Sequence, residues 1–331
     1  MKNFFVRTFG CAQNVADSQR IRAKYLMDGY REVDNYKEAD VIIINSCIVR
    51  ESAENRVYGL IDNIRKSNSP AGGKKIIVTG CLAGISKKIK GVDEVMPIDK
   101  ISYDIKPIRE DQETALIPIS FGCNNFCSYC IVPYARGRER SRSEKEILAE
   151  VDEVMANGYK KVLLIGQNVN SWNKDKFYQL LEKVAQKDLE KISFVSSNPW
   201  DFSDKLIEVI GKYPNIDRLI HLPLQSGDDE ILKKMNRRYT SQEYLDLVKK
   251  IKDKVEGVRF STDIIIGFPT ETEKQFQNTV EVCKKVGYEI AYVNKYSPRR
   301  GTVSAKMYPD DIPQKVKKER WRVLDELVNS K

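Results

Sequence analysis

The alternation of apolar strand-like segments with amphipathic helical segments limits the fold of this chain more than any other feature. In the first third of the chain, strand-like segments at Phe4–Phe9, Val41–Ile44 and Ile76–Val78 are separated by helical patterns at Asp17–Tyr30 and Glu51–Lys66. Parallel strands need a long crossover connection, which is usually a helix. We therefore predict an α/β fold that begins with an N-terminal open parallel α/β sheet domain.

The same alternation continues along the chain and predicts a partial (β/α)6 barrel. Its strand-like segments are 116–120, 161–165, 192–196, 218–222, 258–266 and 290–296. Its helical patterns are 144–156, 176–185, 204–210, 241–252 and 273–286. The active site of such a barrel lies at the carboxyl ends of the strands.

The length of 331 residues fits two domains. We expect the sheet domain at 1–100, a linker at 101–114, the barrel at 115–312 and a C-terminal helix within 313–331. No apolar run approaches the roughly 18 residues that a membrane span needs. Because Met1 leads almost directly into a strand, we also expect no signal peptide and a cytoplasmic protein.

Composition narrows the class of function. The 56 Lys and Arg against 47 Asp and Glu give a net charge of +9, which favours a polyanionic partner. Seven cysteines in a chain of this length do not indicate a disulfide scaffold, and their odd number and clustering favour metal binding in a reducing compartment. The single histidine argues against zinc chemistry based on histidine.

The tightest cysteine cluster is the CxxxCxxC run in GCNNFCSYC, which contains Cys123, Cys127 and Cys130. Three thiolates so close together can hold three corners of an iron–sulfur cube and leave the fourth iron open for chemistry. Structural zinc or free thiols are the alternatives, but zinc would need a fourth ligand and the next cysteine is Cys283. Tyr129 lies inside this motif, beside the expected cluster.

Three more cysteines follow the strands of the N-terminal sheet. Cys11, Cys47 and Cys81 each lie two or three residues beyond a strand-like segment, and parallel strands end at one common edge where ligands bind. Scattered cysteines are more often small buried apolar residues. The repeated position at strand ends instead favours a second three-thiolate site, whereas Cys283, in the middle of a helix, is expected to pack in the core.

The motifs together resemble the radical S-adenosylmethionine (SAM) methylthiotransferases, and within them the branch that modifies tRNA carrying an isopentenyl group on adenosine 37. The matching stretches are TFGCAQNVADS (8–18), NSCIVRESAENRVYG (45–59), TGCLA (79–83), GCNNFCSYCIVPYARGRERSR (122–142), GQNVNSW (166–172), HLPLQSGDDEILKKMNRRYT (221–240) and DIIIGFPTET (263–272). The resemblance extends over nearly the whole chain.

The resemblance implies two [4Fe–4S] clusters and SAM as cofactors. Cys123, Cys127 and Cys130 would hold the cluster that cleaves SAM to a 5′-deoxyadenosyl radical, which removes hydrogen from C2 of the adenine. The auxiliary cluster on Cys11, Cys47 and Cys81 would supply the sulfur, and a second SAM the methyl group. All six cysteines are therefore expected catalytic and metal-binding residues.

Polar residues at the strand ends are the expected cofactor contacts, together with Tyr129. They are Gln167, Asn168, Ser197, Gln225 and Asp263. Turn formation is the alternative for each, because short polar residues also favour turns. His221 is expected to pack at the barrel mouth rather than to catalyse.

An arginine run beyond the cluster motif is the expected RNA contact. If this segment is extended, its alternate arginines face one side and can meet phosphates, and Tyr134 can stack on a base. The run consists of Arg136, Arg138, Arg140 and Arg142. A solvated basic loop without RNA is the alternative.

The expected partners are a tRNA anticodon stem-loop, an electron donor of the flavodoxin or ferredoxin type and a sulfur source, with no membrane and a monomeric chain. Family members continue into a small RNA-binding β-barrel, the TRAM module, which is expected to be absent because this sequence ends at Lys331. Alternative functions are methylthiolation of threonylcarbamoyladenosine tRNA or of a ribosomal protein, and a non-catalytic iron–sulfur RNA-binding protein.

Overall fold

The structure, a computed structural model, describes residues 1–49, 51–67, 73–101, 103–109 and 113–330. The chain consists of two compact units. Unit 1 comprises 1–112, 121–123 and 131–139, and unit 2 comprises 113–120, 124–130 and 140–331. Part of the expected linker, at 102 and 110–112, lies outside the described residues, and the domain limits proposed from the sequence stay a prediction.

Unit 1 contains a parallel sheet of strand order β2-β1-β3-β4-β5. Its strands are β1 (Asn3–Phe9), β2 (Arg31–Glu32), β3 (Val41–Ser46), β4 (Lys75–Gly80) and β5 (Glu94–Val95). Its helices are α1 (Ala12–Met27), α2 (Glu51–Ser67), α3 (Cys81–Ile85) and α4 (Val132–Arg136). Every residue of β3 is buried, as expected for a central parallel strand with both faces covered.

Helix α1 begins five residues before the predicted start at Asp17, which corrects the sequence prediction. Asp17 and Ser18 resemble N-cap residues, but their side chains are used elsewhere. Asp17 accepts a hydrogen bond from Arg136, and Ser18 accepts hydrogen bonds from Thr8 and Asn45. The helix therefore starts directly after Cys11, which lies in an extended conformation at the N-cap.

Unit 2 carries two parallel sheets of order β10-β9-β6 and β11-β12-β13. The remaining strands of the chain are β6 (Thr114–Pro118), β7 (Ser120–Phe121), β8 (Arg140–Ser141), β9 (Lys161–Ile165), β10 (Lys191–Phe194), β11 (Leu219–His221), β12 (Arg259–Ile266) and β13 (Ile290–Lys295). A parallel bridge between Ile192 and Ile216 connects the two sheets just before β11 begins. The predicted parallel sheet followed by a partial barrel is therefore confirmed.

Helices cover the outer face of the unit 2 strands. They are α5 (Glu144–Ala156), α6 (Trp172–Asp175), α7 (Phe177–Ala185), α8 (Asp204–Lys212), α9 (Asp229–Lys234), α10 (Ser241–Lys254), α11 (Glu273–Val286), α12 (Val303–Met307) and α13 (Gln314–Asn329). Helices α5, α10 and α11 begin with capping boxes, which explains why patterns in the sequence placed their first residues correctly. No helix in the described part of the chain is both long and apolar enough to cross a membrane.

Helix α13 covers the last strand of unit 2 and is anchored by buried charges. Leu324 and Val328 join the apolar core, while Arg320 forms a 2.7 Å ion pair with Glu271. Lys317 is fully buried and donates to the carbonyl oxygen of Tyr296 at 3.1 Å. Because burying a charge is costly without partners, these pairs fix the position of the helix on β12 and β13.

Candidate active site

The cysteines after β1, β3 and β4 lie at one edge of the unit 1 sheet. Phe9 pairs with Ser46, and Ser46 pairs with Gly80, so these three strands end in register. Cys47 and Cys81 follow their strands directly, and Cys11 follows Phe9 after a single glycine. The register thus brings three thiols that are distant in sequence to a common edge.

Two of these thiols are directly coupled. Cys47 lies beside Cys81, and this neighbour, together with burial, raises the pKa of Cys47. The proximity of Cys47 lowers the pKa of Cys81, and the neighbouring Arg136 guanidinium acts in the same direction. Cys11 is exposed, lies 3.5 Å from Oδ1 of Asn14, and is close enough to influence Cys47 electrostatically.

A buried amide network and a glycine fix this edge. Asn45 donates to the carbonyl oxygen of Asn14 at 2.8 Å and accepts from its side chain at 2.9 Å. Gly80 has φ +82°, and a Cβ there would collide with Oδ1 of Asn45. A side chain at position 80 would therefore disturb the turn that presents Cys81.

Arg136 lies inside unit 1, which corrects its assignment to an RNA-binding surface. Its Nη2 donates to Asp17 at 2.9 Å, and the two side chains are only 3% and 1% exposed. Its Nε donates to the Cys81 sulfur at 3.1 Å. The sequence prediction failed because Val132–Arg136 is helical rather than extended, so alternate arginines do not share one face.

The second half of the CxxxCxxC motif is held by backbone contacts within unit 2. The backbone N–H of Ser128 donates to the carbonyl oxygen of Met235, and its hydroxyl donates to the carbonyl oxygen of Lys234 at 2.7 Å. Asn236 donates to the carbonyl oxygen of Phe126 at 3.0 Å. The segment with Cys127 and Cys130 is thus fixed by the turn that follows α9.

Cys123 belongs to unit 1, where its N–H donates to the carbonyl oxygen of Gly137 at 3.2 Å.

A second arginine contacts a motif thiol. Arg237 Nη1 lies 3.5 Å from the Cys127 sulfur, and its guanidinium lies over the rings of Trp200 and Tyr239. Tyr129 packs beside the apolar cluster that contains Phe268, and burial raises the pKa of its hydroxyl well above the usual range. The tyrosine hydroxyl is therefore protonated at neutral pH.

Several polar residues that are predicted to contact the cofactor lie at the ends of unit 2 strands. Each has a buried side-chain atom without a hydrogen-bond partner in the described part of the chain. Within the described residues, no hydrogen-bond partner meets Oδ1 of Asn168, Oγ of Ser197 or Oε1 of Gln225. Ser120 Oγ and Asn198 Oδ1, at the same ends of the strands, share this property. Unsatisfied buried polar atoms are costly, so their grouping at strand ends indicates a polar ligand.

The loops that carry these atoms are held in defined and partly strained conformations. Asn170 donates to the carbonyl oxygen of Asn198 and accepts from its N–H, both at 2.8 Å. Asn168 donates to Asp201 at 2.8 Å. Ser196 and Gln225 have φ of +67° and +66°, a sparsely populated conformation for non-glycine residues that recurs at functional sites. Gln167 is half-buried, and no hydrogen bond of its side chain is found within the described part of the chain.

The single histidine lies next to a predicted site residue. His221 Nε2 is 3.1 Å from Oδ2 of Asp263, and Nδ1 is 3.1 Å from the hydroxyl of Ser261. The register pairs His221 with Ser261 on the neighbouring strand, which a pattern within one strand could not reveal. The sequence analysis missed this pair and also missed Arg237, whose only signal was its place in the NRRYT stretch.

The remaining arginines of the run differ from one another. Arg142 pairs with Glu150 at 2.6 Å and donates to the carbonyl oxygen of Pro118, so its guanidinium is occupied. Arg138 and Arg140 are exposed, and Tyr134 is 42% exposed. Arg138, Arg140 and the ring of Tyr134 are therefore accessible to solvent, whereas the guanidinium of Arg136 is not. Cys283 is buried in α11, where burial raises its pKa to about 12, in agreement with a core position.

In the described part of the chain, no three Cys, His, Asp or Glu side chains surround a single metal-ion position. A four-iron cluster gives each thiolate its own iron, so its ligands need not converge on one point. The three thiols at the edge of the unit 1 sheet are therefore suited to be ligands of a cluster rather than of a single metal ion.

Two families match successive parts of the chain. The family described as "Uncharacterized protein family UPF0004" matches residues 3–98, and the Radical SAM superfamily matches residues 117–283. The first match contains Cys11, Cys47 and Cys81, and the second contains the CxxxCxxC motif.

Relatives with similar sequences span nearly the whole chain. A protein of Caldicellulosiruptor saccharolyticus named tRNA-2-methylthio-N(6)-dimethylallyladenosine synthase is 41% identical over 99% of this chain and 78% of its own length. Proteins of the same name from Clostridium botulinum and Bacillus cereus are 40% and 38% identical, over 98% and 99% of this chain and 81% and 72% of their own lengths.

Solved structures with distant sequences share the fold. The radical SAM methyltransferase TsrM of Kitasatospora setae, with cobalamin and a [4Fe–4S] cluster bound, aligns with a TM-score of 0.65 at 12% identity, over 92% of this chain and 77% of that chain. The cobalamin-dependent radical enzyme OxsB aligns with a TM-score of 0.60 over 98% of this chain and 56% of that chain, at 10% identity. At such low identity these likenesses show the fold alone. From its family matches and its relatives, the chain belongs to the radical SAM superfamily and, within it, to the family of tRNA-2-methylthio-N(6)-dimethylallyladenosine synthases.

Proposed function

We propose that this protein is a tRNA methylthiotransferase that inserts sulfur at C2 of N6-isopentenyladenosine 37 (N6-dimethylallyladenosine) and methylates it, with two SAM per turnover. The observation that carries the proposal is the presence of two separate thiol sets in one radical SAM chain. One set is the CxxxCxxC motif, and the other is the in-register edge with Cys11, Cys47 and Cys81. The names of the relatives support the choice of substrate.

The first thiol set is assigned to the radical cluster. Membership of the radical SAM superfamily implies a [4Fe–4S] cluster and SAM. When bound, they supply a carbon radical that can remove hydrogen from an adenine carbon that no acid or base could deprotonate. Cys123, Cys127 and Cys130 would hold the cluster. Arg237 would orient Cys127 and add positive charge beside it.

The orphaned acceptors at the strand ends fit SAM. Its amine and ribose hydroxyls can donate to buried oxygens such as Asn168 Oδ1, Ser197 Oγ and Gln225 Oε1. Asp263, held by His221, offers a half-buried carboxylate for the same cofactor or for the base. Gln167 and Tyr129 complete the proposed cofactor set. The role of the protein here is to bind and orient SAM.

The second thiol set is assigned to an auxiliary [4Fe–4S] cluster that supplies sulfur. Its donors fit an iron–sulfur group because three thiols share one edge and a guanidinium is present to balance thiolate charge. A four-iron cluster on three cysteines leaves one iron without a protein ligand, where a transferable sulfur atom can be held.

For the RNA substrate, Arg138 and Arg140 are proposed to meet phosphates and Tyr134 to stack on a base. Arg136 and Arg142 are left out of the proposed RNA contacts, because their side chains are only 3% and 9% exposed. The anticodon stem-loop is the proposed ligand. An electron donor of the flavodoxin or ferredoxin type, a sulfur source, a monomeric state and a cytoplasmic location complete the proposal.

The test is a reaction with purified components. Protein reconstituted anaerobically with iron and sulfide is incubated with SAM, a reductant and tRNA that carries isopentenyladenosine 37. Nucleoside mass spectrometry should show the 2-methylthio product together with 5′-deoxyadenosine. Formation of 5′-deoxyadenosine with product only on threonylcarbamoyladenosine tRNA would contradict the substrate, and absence of both products would contradict the activity.

A further inference from the structure

A buried ion pair lies against one thiol of the proposed auxiliary site. Arg136 uses Nη2 to bind Oδ2 of Asp17 and Nε to bind the sulfur of Cys81, at 2.9 Å and 3.1 Å. Asp17 is held in turn at Oδ1, which accepts from Gln13 at 3.2 Å and from the hydroxyl of Tyr103 at 3.1 Å. Every group in this network belongs to unit 1.

The fold is built to bring Arg136 to this position. Ile131, the N-cap residue of α4, and Ala135, within α4, pack into the same apolar core cluster as Cys81 and Leu82. Gly84 permits the approach, because a Cβ there would collide with the carbonyl oxygen of Ala135. A side chain larger than glycine at position 84 would push α4 and its arginine away from Cys81.

The geometry of the guanidinium suits two partners at once. Its planar fork offers Nη2 and Nε in fixed directions, and here one donor meets the carboxylate while the other meets the sulfur. Asp17 neutralises the buried charge and prevents rotation of the guanidinium. Cys11 lies close enough to Arg136 to interact with it electrostatically, and Cys47 lies close enough to interact with Cys81.

We infer that Arg136, fixed by Asp17, is a positioning residue that hydrogen-bonds the Cys81 ligand sulfur and raises the reduction potential of the auxiliary cluster. The inference rests on the proposed function, because it assumes a cluster at this site. Hydrogen bonds to ligand sulfurs stabilise the more negative, reduced state and so raise the potential. The first arginine of the basic run thus serves the cluster and not the RNA.

The test uses the full chain with Cys123, Cys127 and Cys130 replaced by Ala, so that any bound cluster belongs to the auxiliary site. After anaerobic reconstitution, iron content and the midpoint potential by EPR-monitored titration are measured. Arg136→Gln should lower the ratio of reduced to oxidised cluster at the parent midpoint about tenfold, which is about 59 mV for one electron. Arg31→Gln, an exposed arginine of β2 in the same unit, is the control and should leave the potential unchanged.

A matched double variant separates the hydrogen bond from folding. Asp17→Asn with Arg136→Gln removes both charges, keeps the net charge of the pair at zero, and avoids an unpaired buried carboxylate. The double variant should bind iron and still show the lower potential. A parent-like potential in both variants, with iron retained, would overturn this inference alone. Absence of iron in the parent would overturn the auxiliary cluster and this inference together.

Discussion

The side chains of Cys47 and Cys81 lie close enough to shift each other's pKa, although the two residues follow different strands of the unit 1 sheet. The contact exists because β3 and β4 pair in parallel register up to Ser46 and Gly80. A cysteine one residue beyond each strand end must then face its counterpart. The edge of the sheet, and not a local sequence motif, therefore creates the second thiol site.

This arrangement predicts the iron content. Reconstituted protein should bind about eight irons per chain, and replacement of Cys11, Cys47 and Cys81 by Ala should reduce this to about four. The triple variant should lose sulfur insertion but still cleave SAM. Cys283→Ala, in the core of α11, is the control and should retain all the iron. A triple variant that keeps eight irons would contradict the assignment.

Gln225 offers a test of the SAM site. Its Oε1 is buried and has no partner among the described residues, so Gln225→Met removes an unsatisfied acceptor and a ligand contact together. We expect SAM binding by calorimetry to weaken about 5- to 10-fold, the effect of one hydrogen bond, while the free energy of unfolding stays equal or rises. Gln277→Met, on the exposed surface of α11, is the control. Equal SAM affinity in both variants would remove Gln225 from the site.

Arg138 and Arg140 should contribute to RNA binding through charge. The double variant Arg138→Gln/Arg140→Gln should bind tRNA more weakly, and the slope of log K against log salt should fall by about 1.4 to 1.8 in magnitude, for two phosphate contacts. Fluorescence anisotropy at several salt concentrations measures both quantities. Arg259→Gln, at the start of β12 and paired with Glu289, should leave the slope unchanged. A slope that does not differ between these variants would contradict the proposed RNA surface.

Glu271 should make stability depend on pH. Burial raises its pKa from 4.5 to about 7, although it pairs with Arg320. The folded chain therefore binds more protons than the unfolded chain between these values, and stability should decrease as the pH rises from about 4.5 to 7, by at most about 1.4 kcal/mol per pH unit. In Glu271→Gln this contribution should vanish. Chemical denaturation at pH 5, 6 and 7 measures the difference, and parallel curves for the two proteins would contradict it.

The sequence was sufficient to predict the elements and the strand-end cysteines, because both depend on local periodicity. The strand Lys161–Ile165 and the helices Glu144–Ala156 and Glu273–Val286 have the predicted bounds, and the helix Gln314–Asn329 lies within the predicted range 313–331. Local patterns therefore identified where chemistry could occur.

Contacts between distant segments could not be predicted in this way. Asp17 and Arg136 are separated by 119 residues, and His221 and Asp263 by 42 residues, so each pair appears only once the register is known. The arginine run also gave a wrong prediction, because the short helix Val132–Arg136 directs the Arg136 side chain into the interior of unit 1. A repeated charge every second residue indicates a shared face only when the backbone is extended.

The most direct test of the central claim is nucleoside analysis of tRNA from a strain in which the gene for this protein is deleted, compared with the same strain carrying the gene. Mass spectrometry should show that 2-methylthio-N6-isopentenyladenosine disappears, that N6-isopentenyladenosine accumulates, and that the intact gene restores the product, whereas the Cys11→Ala/Cys47→Ala/Cys81→Ala form does not. An unchanged level of the methylthiolated nucleoside in the deletion strain would contradict the proposed function.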